Sequence, residues 1–295
     1  MATGSVRRAC IDIGSNTTRL LVADCDQGEI TEVYQERAFT CLAWSGLPDE
    51  AIAPAKLEEI ARVVCSQLSR ARDLGCTEVR AVGTAAIRRA PNSAVLAAGV
   101  RDACGLELEI LTPEEEARLA FVGAARGFRS LGRGSLGVVD VGGGSSELVV
   151  GEAPNRVAWS ASFPLGSGDL ARSYLRSDPP TLDEVAAARR EVDATLGEIE
   201  VPQPEHAAAV GGSAASLARL AGRILDAGAL AGAVAELIAA PRRDVARRFG
   251  LEIERVRLLP AGLVILQAAS ERFGTPLVVA GGGLREGVLL EASGG

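Results

Sequence analysis

Hydrophobic and polar residues alternate along the first third of the chain in a pattern that predicts strands and helices. Three strands come first, in "RACIDIG", "TRLLVADC" and "ITEVYQERAF", and the short polar turn "SNTT" joins the first two. A helix is expected from about Pro54 to Leu74, because apolar residues recur there at helical spacing. The apolar face of this helix comprises Leu57, Ile60, Val64 and Leu68.

The pattern continues with a strand in "TEVRAVGT", a helix in "NSAVLAAGVRDAC" that ends before Gly105, and a strand in "LELEIL". A further helix is expected to start after Thr112. Pro113 suits the first helical position, and Glu115 completes a Thr-x-x-Glu capping box. The predicted order of this first block is therefore βββαβαβα.

A second block also begins with three strands, which are followed by alternating helices and strands. It begins with "GSLGVVDVGGGSSELVVGE" and the strand "RVAWSASF", followed by helices over about 168–175 and 181–199. The strand "HAAAVGG", alanine-rich helical segments, a long helix near 255–273, the segment "PLVVAGGG" and a last helix "LREGVLLEA" complete it. We expect two domains, 1–127 and 128–295, joined by a linker in "GFRSLGRG". The last helix, about 284–295, is expected to pack back on the first domain.

Composition narrows the class of protein. The 295 residues are 47% hydrophobic and 23% charged, which is typical of a soluble globular protein. We find no signal peptide and no apolar run close to the roughly 20 residues that cross a bilayer. The six cysteines all lie in the first 104 residues without metal-binding spacing, which favours reduced thiols and a cytoplasmic protein. A net charge of −7 argues against general nucleic-acid or membrane-surface binding but leaves room for a locally bound anion.

One polar hairpin motif occurs twice in the sequence. "IDIGSNTTRLLVAD" (11–24) returns as "VDVGGGSSELVVGE" (139–152) at a constant offset of 128 residues. Turns rich in glycine, serine and threonine expose backbone N–H groups that bind anionic oxygens. Either copy alone is equally well read as a plain hairpin turn, whereas two copies favour two halves of one phosphate site. The candidate phosphate-binding residues are Gly14, Ser15 and Asn16 in the first copy and Gly142, Gly143, Gly144 and Ser145 in the second.

An aspartate precedes each turn. Asp12 and Asp140 end strands that are predicted to be buried, where an ionised carboxylate needs a cation or donors. Mg²⁺ bound to phosphate oxygens would satisfy them, and an aspartate that only hydrogen-bonds its own turn is the alternative. The copies diverge at one position, which holds Arg19 in the first and Glu147 in the second.

Further candidates are weaker. The glycines of "AVGGSAASLARL" and "VAGGGLREGVLL" precede helices and favour anions. Arg88 in "GTAAIRR" is either a phosphate ligand or a surface charge. Glu116, in the first turn of its helix, is a candidate general base toward water, against the general preference of acidic residues for helix N-termini.

These motifs resemble those of the exopolyphosphatase and guanosine pentaphosphate phosphatase (Ppx/GppA) family, of the superfamily of acetate kinase, sugar kinases, actin and heat-shock ATPases. The matching blocks cover nearly the whole chain and include "VGTAAIRRA", "ILTPEEEARLAFVGA", "GVVDVGGGSSELVVG" and "SFPLGSGDLARSYL". The resemblance implies an α/β fold of duplicated ribonuclease H-like domains, each a mixed five-stranded sheet with helices, around an interdomain cleft. It also implies the short two-domain form of the family.

The resemblance implies a role for several of these residues. Glu116 is similar to the family's catalytic base, Asp140 and Glu147 to an acidic pair associated with Mg²⁺ and activity, and the two glycine-rich turns to its phosphate-binding turns. Asp12, Arg19 and Arg88 are substrate-binding candidates on the reasoning from the residues alone. Two positions depart from the family pattern: Asp169 stands where many members have an arginine, and Arg257 where aspartate is usual.

Four functions remain open. The leading hypothesis is a Mg²⁺-dependent exopolyphosphatase that processively removes the terminal phosphate of linear polyphosphate. The second is a guanosine pentaphosphate 5′-phosphohydrolase, which would connect the chain with the stringent response. A superfamily kinase and a non-catalytic phosphate or nucleotide sensor complete the set. We expect no nucleic-acid or membrane partner, and we leave the oligomeric state open with a homodimer as one expectation.

Overall fold

The structure is a computed structural model that describes residues 5–42, 50–131, 134–197 and 199–292. The chain divides into two compact units. One comprises Met1–Gly123 with Leu284–Gly295, and the other comprises Ala124–Gly283. Each unit is an α/β domain built on one mixed sheet.

The first unit contains a five-stranded sheet in the spatial order β3-β2-β1-β4-β5. The first three strands pair antiparallel, and β4 and β5 extend the sheet parallel to β1. The strands are β1 (Val6–Ile13), β2 (Thr17–Asp26), β3 (Glu29–Phe39), β4 (Glu78–Gly83) and β5 (Leu108–Ile110). The predicted strand "LELEIL" is thus observed over its central residues.

Helices cover both faces of this sheet. They are α1 (Pro54–Asp73), α2 (Ala85–Arg89), α3 (Ser93–Cys104), α4 (Pro113–Ala125, whose last two residues are assigned to the second unit) and the chain-distant α11 (Leu284–Glu291). The predicted apolar face of α1 is buried. Helix α3 ends at Gly105, whose φ of 70° is the left-handed conformation that glycine adopts without cost. The short helix α2 has no counterpart among the sequence-based predictions.

The second unit repeats the strand arrangement. Its sheet has the order β10-β11-β9-β6-β7-β8, with β6, β7 and β8 antiparallel and β9 and β11 parallel to β6. The strands are β6 (Ser135–Val141), β7 (Ser146–Glu152), β8 (Arg156–Phe163), β9 (His206–Val210), β10 (Ile224–Leu225) and β11 (Leu277–Val279). The two-residue β10 adds one strand to the five that were expected.

The duplication extends to an irregularity of the backbone. In β2 the register shifts between Val22 and Ala23, and in β7 it shifts between Val150 and Gly151. These positions have the same offset as the two hairpins. A β-bulge increases the local twist of its strand and is an inherited feature of a fold rather than a defect. The predicted fold class, duplicated ribonuclease H-like α/β domains, is therefore confirmed.

Helices of 8 to 21 residues accompany the second sheet. They are α5 (Ser167–Tyr174), α6 (Leu182–Leu196), α7 (Gly211–Ala221), α8 (Ala227–Ala239), α9 (Arg242–Phe249) and α10 (Ile253–Phe273). The predicted capping box of α6 is present: Glu184 N donates to Thr181 Oγ1 over 3.2 Å and Thr181 N to Glu184 Oε2 over 2.9 Å. The predicted linker forms a 3-10 helix over Arg126–Leu131; its residues 132 and 133 lie outside the described part of the chain.

Apolar residues form separate cores in the two units. In the first unit, β1 is buried on both faces, with Ile11 packed toward α1 and Cys10 toward α11. In the second unit the core surrounds α10, most of whose residues are buried. None of the six cysteines, all of which lie in the described residues, forms a disulfide bond. None of the helices in the described residues is long and apolar enough to cross a membrane.

Phe273→Ala is expected to reduce the free energy of unfolding by about 3–5 kcal/mol, because it removes a large side chain that is 1% exposed in this core. Unfolding in guanidinium followed by circular dichroism measures the loss. Ile253→Ala, at the 46% exposed start of the same helix, is the control and should cost about 0.5 kcal/mol. A loss below about 1 kcal/mol for Phe273→Ala would contradict the assigned packing.

Candidate functional site

The first candidate turn closes the hairpin between β1 and β2. Gly14 N donates to Thr17 O over 3.0 Å, so this amide is used inside the turn. Ser15 is buried, and Asn16 O accepts from Cys41 N over 3.0 Å. The turn is thus held in one conformation by the chain that follows β3, as a binding turn needs to be.

A second layer of polar side chains supports this hairpin from inside the unit. Thr18, fully buried, shares a hydrogen bond of 3.1 Å with the hydroxyl of Thr40. Gln67 of α1 is also fully buried and donates from Nε2 to Thr18 O over 3.3 Å. Sequence analysis missed Thr40 and Gln67, because nothing local distinguishes them from ordinary polar residues.

Asp12 lies directly opposite Arg19 in the β1–β2 register. Its Oδ1 is buried and has no hydrogen-bond partner among the described residues. Burial raises the pKa of the Asp12 carboxyl, while the charges of Arg19 and Arg285 act in the opposite direction. An ionised carboxylate with a buried, unsatisfied oxygen is costly, so the position favours a bound cation or donor.

Glu116 is positioned by the start of α4. The predicted capping box exists: Glu115 N donates to Thr112 Oγ1 over 3.2 Å, and Thr112 N donates to Glu115 Oε2 over 2.8 Å. Glu116 follows, is 7% exposed, and accepts a hydrogen bond of 2.9 Å from Arg88 Nη1. The same nitrogen of Arg88 donates to Leu111 O over 2.5 Å, which fixes the guanidinium between the two elements.

The electrostatic balance at Glu116 favours a basic carboxylate. Burial raises its pKa, the hydrogen bond and charge of Arg88 lower it, the charge of Asp12 raises it again, and the N–H of Ala85 lowers it. The net direction is upward. A carboxylate whose pKa moves toward neutral pH is a better general base than an exposed one.

The second candidate turn repeats the hydrogen bond of the first. Gly142 N donates to Ser145 O over 3.0 Å, as Gly14 N does to Thr17 O. The carbonyls of this turn are bound by the start of α5: Ser167 N donates to Gly142 O over 2.9 Å, and Gly168 N donates to Gly143 O over 2.9 Å. These helix N–H groups are therefore committed to the turn.

Gly166 shows how tightly the second turn is packed. A Cβ at this position would overlap the backbone of Gly143 and Gly144. Ser146 Oγ also donates to Leu165 O over 2.6 Å, which joins the end of the turn to the same loop. The loop before α5 thus fixes the second turn as the segment after β3 fixes the first.

The acidic pair of the second unit lies in the same register as the Asp12–Arg19 pair. Asp140 is opposite Glu147 in the β6–β7 ladder. Glu147 is 1% exposed and accepts a hydrogen bond of 2.9 Å from Ser162 Oγ. Gly211, at the start of α7 with a φ of 86°, leaves room for Asp140, since a Cβ there would lie 2.6 Å from Oδ1. Ser162 and Gly211 were not singled out for these roles by sequence analysis.

The remaining candidates are placed as follows. Gly212 lies against the Arg255 guanidinium, because a Cβ there would lie 2.6 Å from Nη1. Asp169 forms an ion pair of 3.1 Å with Arg172. Arg257 lines a small cavity with Asp178 and other residues of the second unit. The contact of Arg255 with Gly212 was not predicted, because the two residues lie 43 positions apart in the sequence (255 minus 212).

The model of the Ppx/GppA phosphatase family matches residues 21–294. The chain belongs to the Ppx/GppA phosphatase family. Exopolyphosphatase 1 of Mycobacterium tuberculosis is 32% identical over 305 residues, which cover 97% of this chain and 88% of that protein. A crystal structure of the Aquifex aeolicus Ppx/GppA family member has a TM-score of 0.82 at 28% identity and covers 98% of this chain and 97% of that one.

A second kind of relative is also found. The guanosine-5′-triphosphate,3′-diphosphate pyrophosphatase of Aeromonas hydrophila is 27% identical over 303 residues. The match covers 95% of this chain but 58% of that protein. The chain is therefore similar to proteins named for two different substrates.

Glu116→Gln is expected to raise the free energy of unfolding at neutral pH, because burial raises the pKa of Glu116 in the folded chain. The folded state then binds this proton more tightly than the unfolded state does. The contribution of Glu116 to stability therefore falls as the pH rises from its unfolded pKa through its folded pKa. Urea unfolding across this pH window should show a gap between wild type and variant that opens as the pH rises.

Glu114→Gln is the matched control, since Glu114 is an exposed residue of the same helical turn. We expect this exposed substitution to change the free energy of unfolding by less than about 0.5 kcal/mol. A Glu116→Gln variant whose stability tracks the wild type at every pH would contradict the burial of an ionised carboxylate.

Proposed function

We propose that the chain is an exopolyphosphatase that processively hydrolyses the terminal phosphate of linear inorganic polyphosphate. The observation that carries the proposal is Glu116, a buried carboxylate held by Arg88 in the first turn of α4. Membership of the Ppx/GppA phosphatase family supports hydrolysis of a phosphoanhydride as the reaction. The relative of 32% identity that carries the exopolyphosphatase name supports polyphosphate as the substrate.

Glu116 is the proposed general base. It accepts a proton from the attacking water while the oxygen of that water bonds to the terminal phosphorus, and the shortened chain leaves on the opposite side. Arg88 holds the carboxylate in place, and burial makes it more basic than an exposed glutamate. Both properties suit proton transfer from water near neutral pH.

The two glycine-rich turns are the proposed phosphate-binding elements. Their first amides, of Gly14 and Gly142, close the turns and are not the donors. The candidates are therefore the groups at the turn tips, comprising Ser15 and Asn16 in one unit and Gly143, Gly144 and Ser145 in the other. Arg19 adds a positive charge beside Asp12 and is proposed to bind phosphates of the substrate.

The residues fit a divalent cation, which we propose to be Mg²⁺. Asp12 Oδ1 is buried without a hydrogen-bond partner in the described chain, and Asp140 lies opposite Glu147. No group of three or more metal-binding side chains occurs within the described residues. Mg²⁺ is proposed because it binds through one or two carboxylates together with substrate phosphates and water. When bound, the ion would neutralise charge that develops on the phosphate oxygens, and Asp140 and Glu147 are its proposed protein ligands.

Guanosine pentaphosphate is the alternative substrate, favoured by the Aeromonas hydrophila relative. That relative is matched over 58% of its length, whereas Exopolyphosphatase 1 is matched over 88%. We therefore propose polyphosphate rather than guanosine pentaphosphate as the substrate. The free cysteines agree with a reducing compartment, and we propose a cytoplasmic reaction.

Glu116→Gln is expected to reduce the kcat for phosphate release from polyphosphate by about 10²–10⁴-fold, because a neutral amide cannot accept the proton. Its affinity for polyphosphate should stay within about twofold, because the amide keeps the volume of the carboxylate. A twofold change is well below the 1.4 kcal/mol that corresponds to a tenfold change. Phosphate release with Mg²⁺ and equilibrium binding measure the two effects. Glu114→Gln should keep wild-type turnover.

The same assay with guanosine pentaphosphate, and with ATP plus and minus small acceptors, separates the alternatives. Faster turnover of guanosine pentaphosphate would replace polyphosphate as the substrate. Phosphate transfer that needs ATP and an acceptor would indicate a kinase, and binding without turnover by the wild type would indicate a sensor.

The divergent pair is expected to divide the work between turnover and binding. Glu147→Ala should lower kcat by at least about 10²-fold, since it removes a buried acidic group of the proposed Mg²⁺ site. Arg19→Ala should mainly raise KM, by about tenfold or more, because a charged hydrogen bond contributes about 1.5–3 kcal/mol. Steady-state kinetics at several Mg²⁺ concentrations test both. The reverse pattern, with Arg19→Ala limiting kcat and Glu147→Ala limiting KM, would overturn the assignment.

A further inference from the structure

Helix α11 is the only segment of the described first unit that follows the second unit in sequence. It packs across β1 and β2 and on α4, with Leu284, Val288 and Leu289 in one apolar cluster with Cys10 and Leu119. The helix therefore covers the face of the sheet opposite α1. The contact between α11 and α4 bears on the proposed site, because α4 carries Glu116 three residues before Leu119.

The backbones of α11 and α4 approach each other at Gly287. A Cβ at this position would overlap the carbonyl oxygen of Leu119 and would lie 2.7 Å from its carbonyl carbon and 3.0 Å from its Cα. The obstacle is backbone rather than a flexible side chain, so the helices would have to move apart. A glycine inside a helix costs about 1 kcal/mol relative to alanine, which a close helix contact offsets.

A second contact joins the end of α11 to both elements that build the Glu116 site. Glu291 binds Arg118 of α4 and accepts a hydrogen bond of 3.0 Å from Arg80 Nη1 of β4. Arg80 Nη1 also donates to Val288 O over 3.4 Å. Strand β4 leads directly into α2, which carries Arg88. Helix α11 therefore touches the support of Glu116 and the support of its partner Arg88.

We propose that Gly287 is a positioning residue for catalysis, because its missing side chain sets the distance between α11 and α4 and thereby the position of Glu116 against Arg88. The inference rests on the proposed role of Glu116 as general base. Gly287 itself lies behind the site and contacts the backbone of α4. Its effect on the reaction is exerted through that helix.

Gly287→Ala is expected to lower kcat on polyphosphate by about 10–100-fold, because displacements of about 1 Å at catalytic groups have effects of this size. KM should change by less than about twofold, since the three atoms nearest to a Cβ at position 287 all belong to Leu119 of α4. The acid limb of the kcat–pH profile should move to higher pH, because a weaker contact with Arg88 leaves the carboxyl more easily protonated. A purely structural role would lower the melting temperature and leave this profile in place.

Gly99→Ala is the matched control. Gly99 lies inside α3 of the same unit, and a Cβ there meets nothing within 4 Å. This variant should keep the wild-type kcat and pH profile. If Gly287→Ala shows the same kinetics as Gly99→Ala, the inference is wrong.

Glu291→Gln keeps the test decisive if Gly287→Ala fails to fold. This change removes the charge that joins α11 to Arg118 and Arg80 at partly exposed positions, and we expect kcat to fall severalfold with the same shift in the pH profile. Glu78→Gln is its control, since Glu78 forms a similar ion pair of 2.6 Å with Arg8 away from α4. Wild-type kinetics for Glu291→Gln in that case would reject the inference.

Glu116→Gln, assayed in parallel, separates this inference from the proposed function. An inactive Glu116→Gln beside a fully active Gly287→Ala leaves the general base in place and rejects the positioning role. A fully active Glu116→Gln rejects the general base and the positioning role together.

Discussion

The cost of burying two carboxylates close together governs the first unit. Asp12 and Glu116 are each removed from water, burial raises the pKa of both carboxyls, and the charge of Asp12 raises the pKa of Glu116 further. The arginines around them reduce this cost without removing it, since both pKa values remain raised. Buried acids of this kind destabilise a fold and occur where a bound cation, substrate or proton transfer requires them. The sheet, the capped helix α4 and the helix α2 hold these groups in spite of that cost.

The second unit has the same backbone arrangement in its hairpin but a different pair of charged side chains. Its turn closes with the same hydrogen bond, its strand bulges at the same position, and its aspartate faces the residue at the same place in the register. At that place Glu147 replaces the arginine of the first unit. Duplication conserved the geometry of the hairpin while one side chain reversed the local charge. A pair of acids suits a cation, whereas an acid beside an arginine suits an anionic group held next to it.

Local patterns in the sequence were sufficient for most of the secondary structure. The apolar spacing of α1, the capping boxes of α4 and α6 and the alternation of the first strands each depend on residues a few positions apart, so they could be read directly. The two-residue β10 and the five-residue α2 were missed because such short segments carry no periodicity. Their conformation is decided by neighbours that are distant in sequence.

The candidate site divides in the same way. The glycine-rich turns and Glu116 stand in recognisable motifs, and the ladder that places 19 and 147 opposite the two aspartates follows from the hairpin pattern. The supports of those residues could not be predicted. Gln67 donates a hydrogen bond to Thr18, 49 residues away, and Ser162 donates one to Glu147 from the neighbouring strand. Only the folded chain brings these residues into contact.

The separation of Arg80 and Glu291 by 211 residues has a consequence for synthesis on the ribosome. The β1–β5 sheet emerges early, but the helix that covers one of its faces is translated only after the whole of Ala124–Gly283. At a translation rate of about 5–20 residues per second, the apolar surface around Cys10 and Leu21 stays uncovered for roughly 8–30 seconds before α11 is synthesised. During that interval the nascent chain exposes an apolar surface of the kind that chaperones bind. The first unit can therefore be completed only after the second unit has been translated.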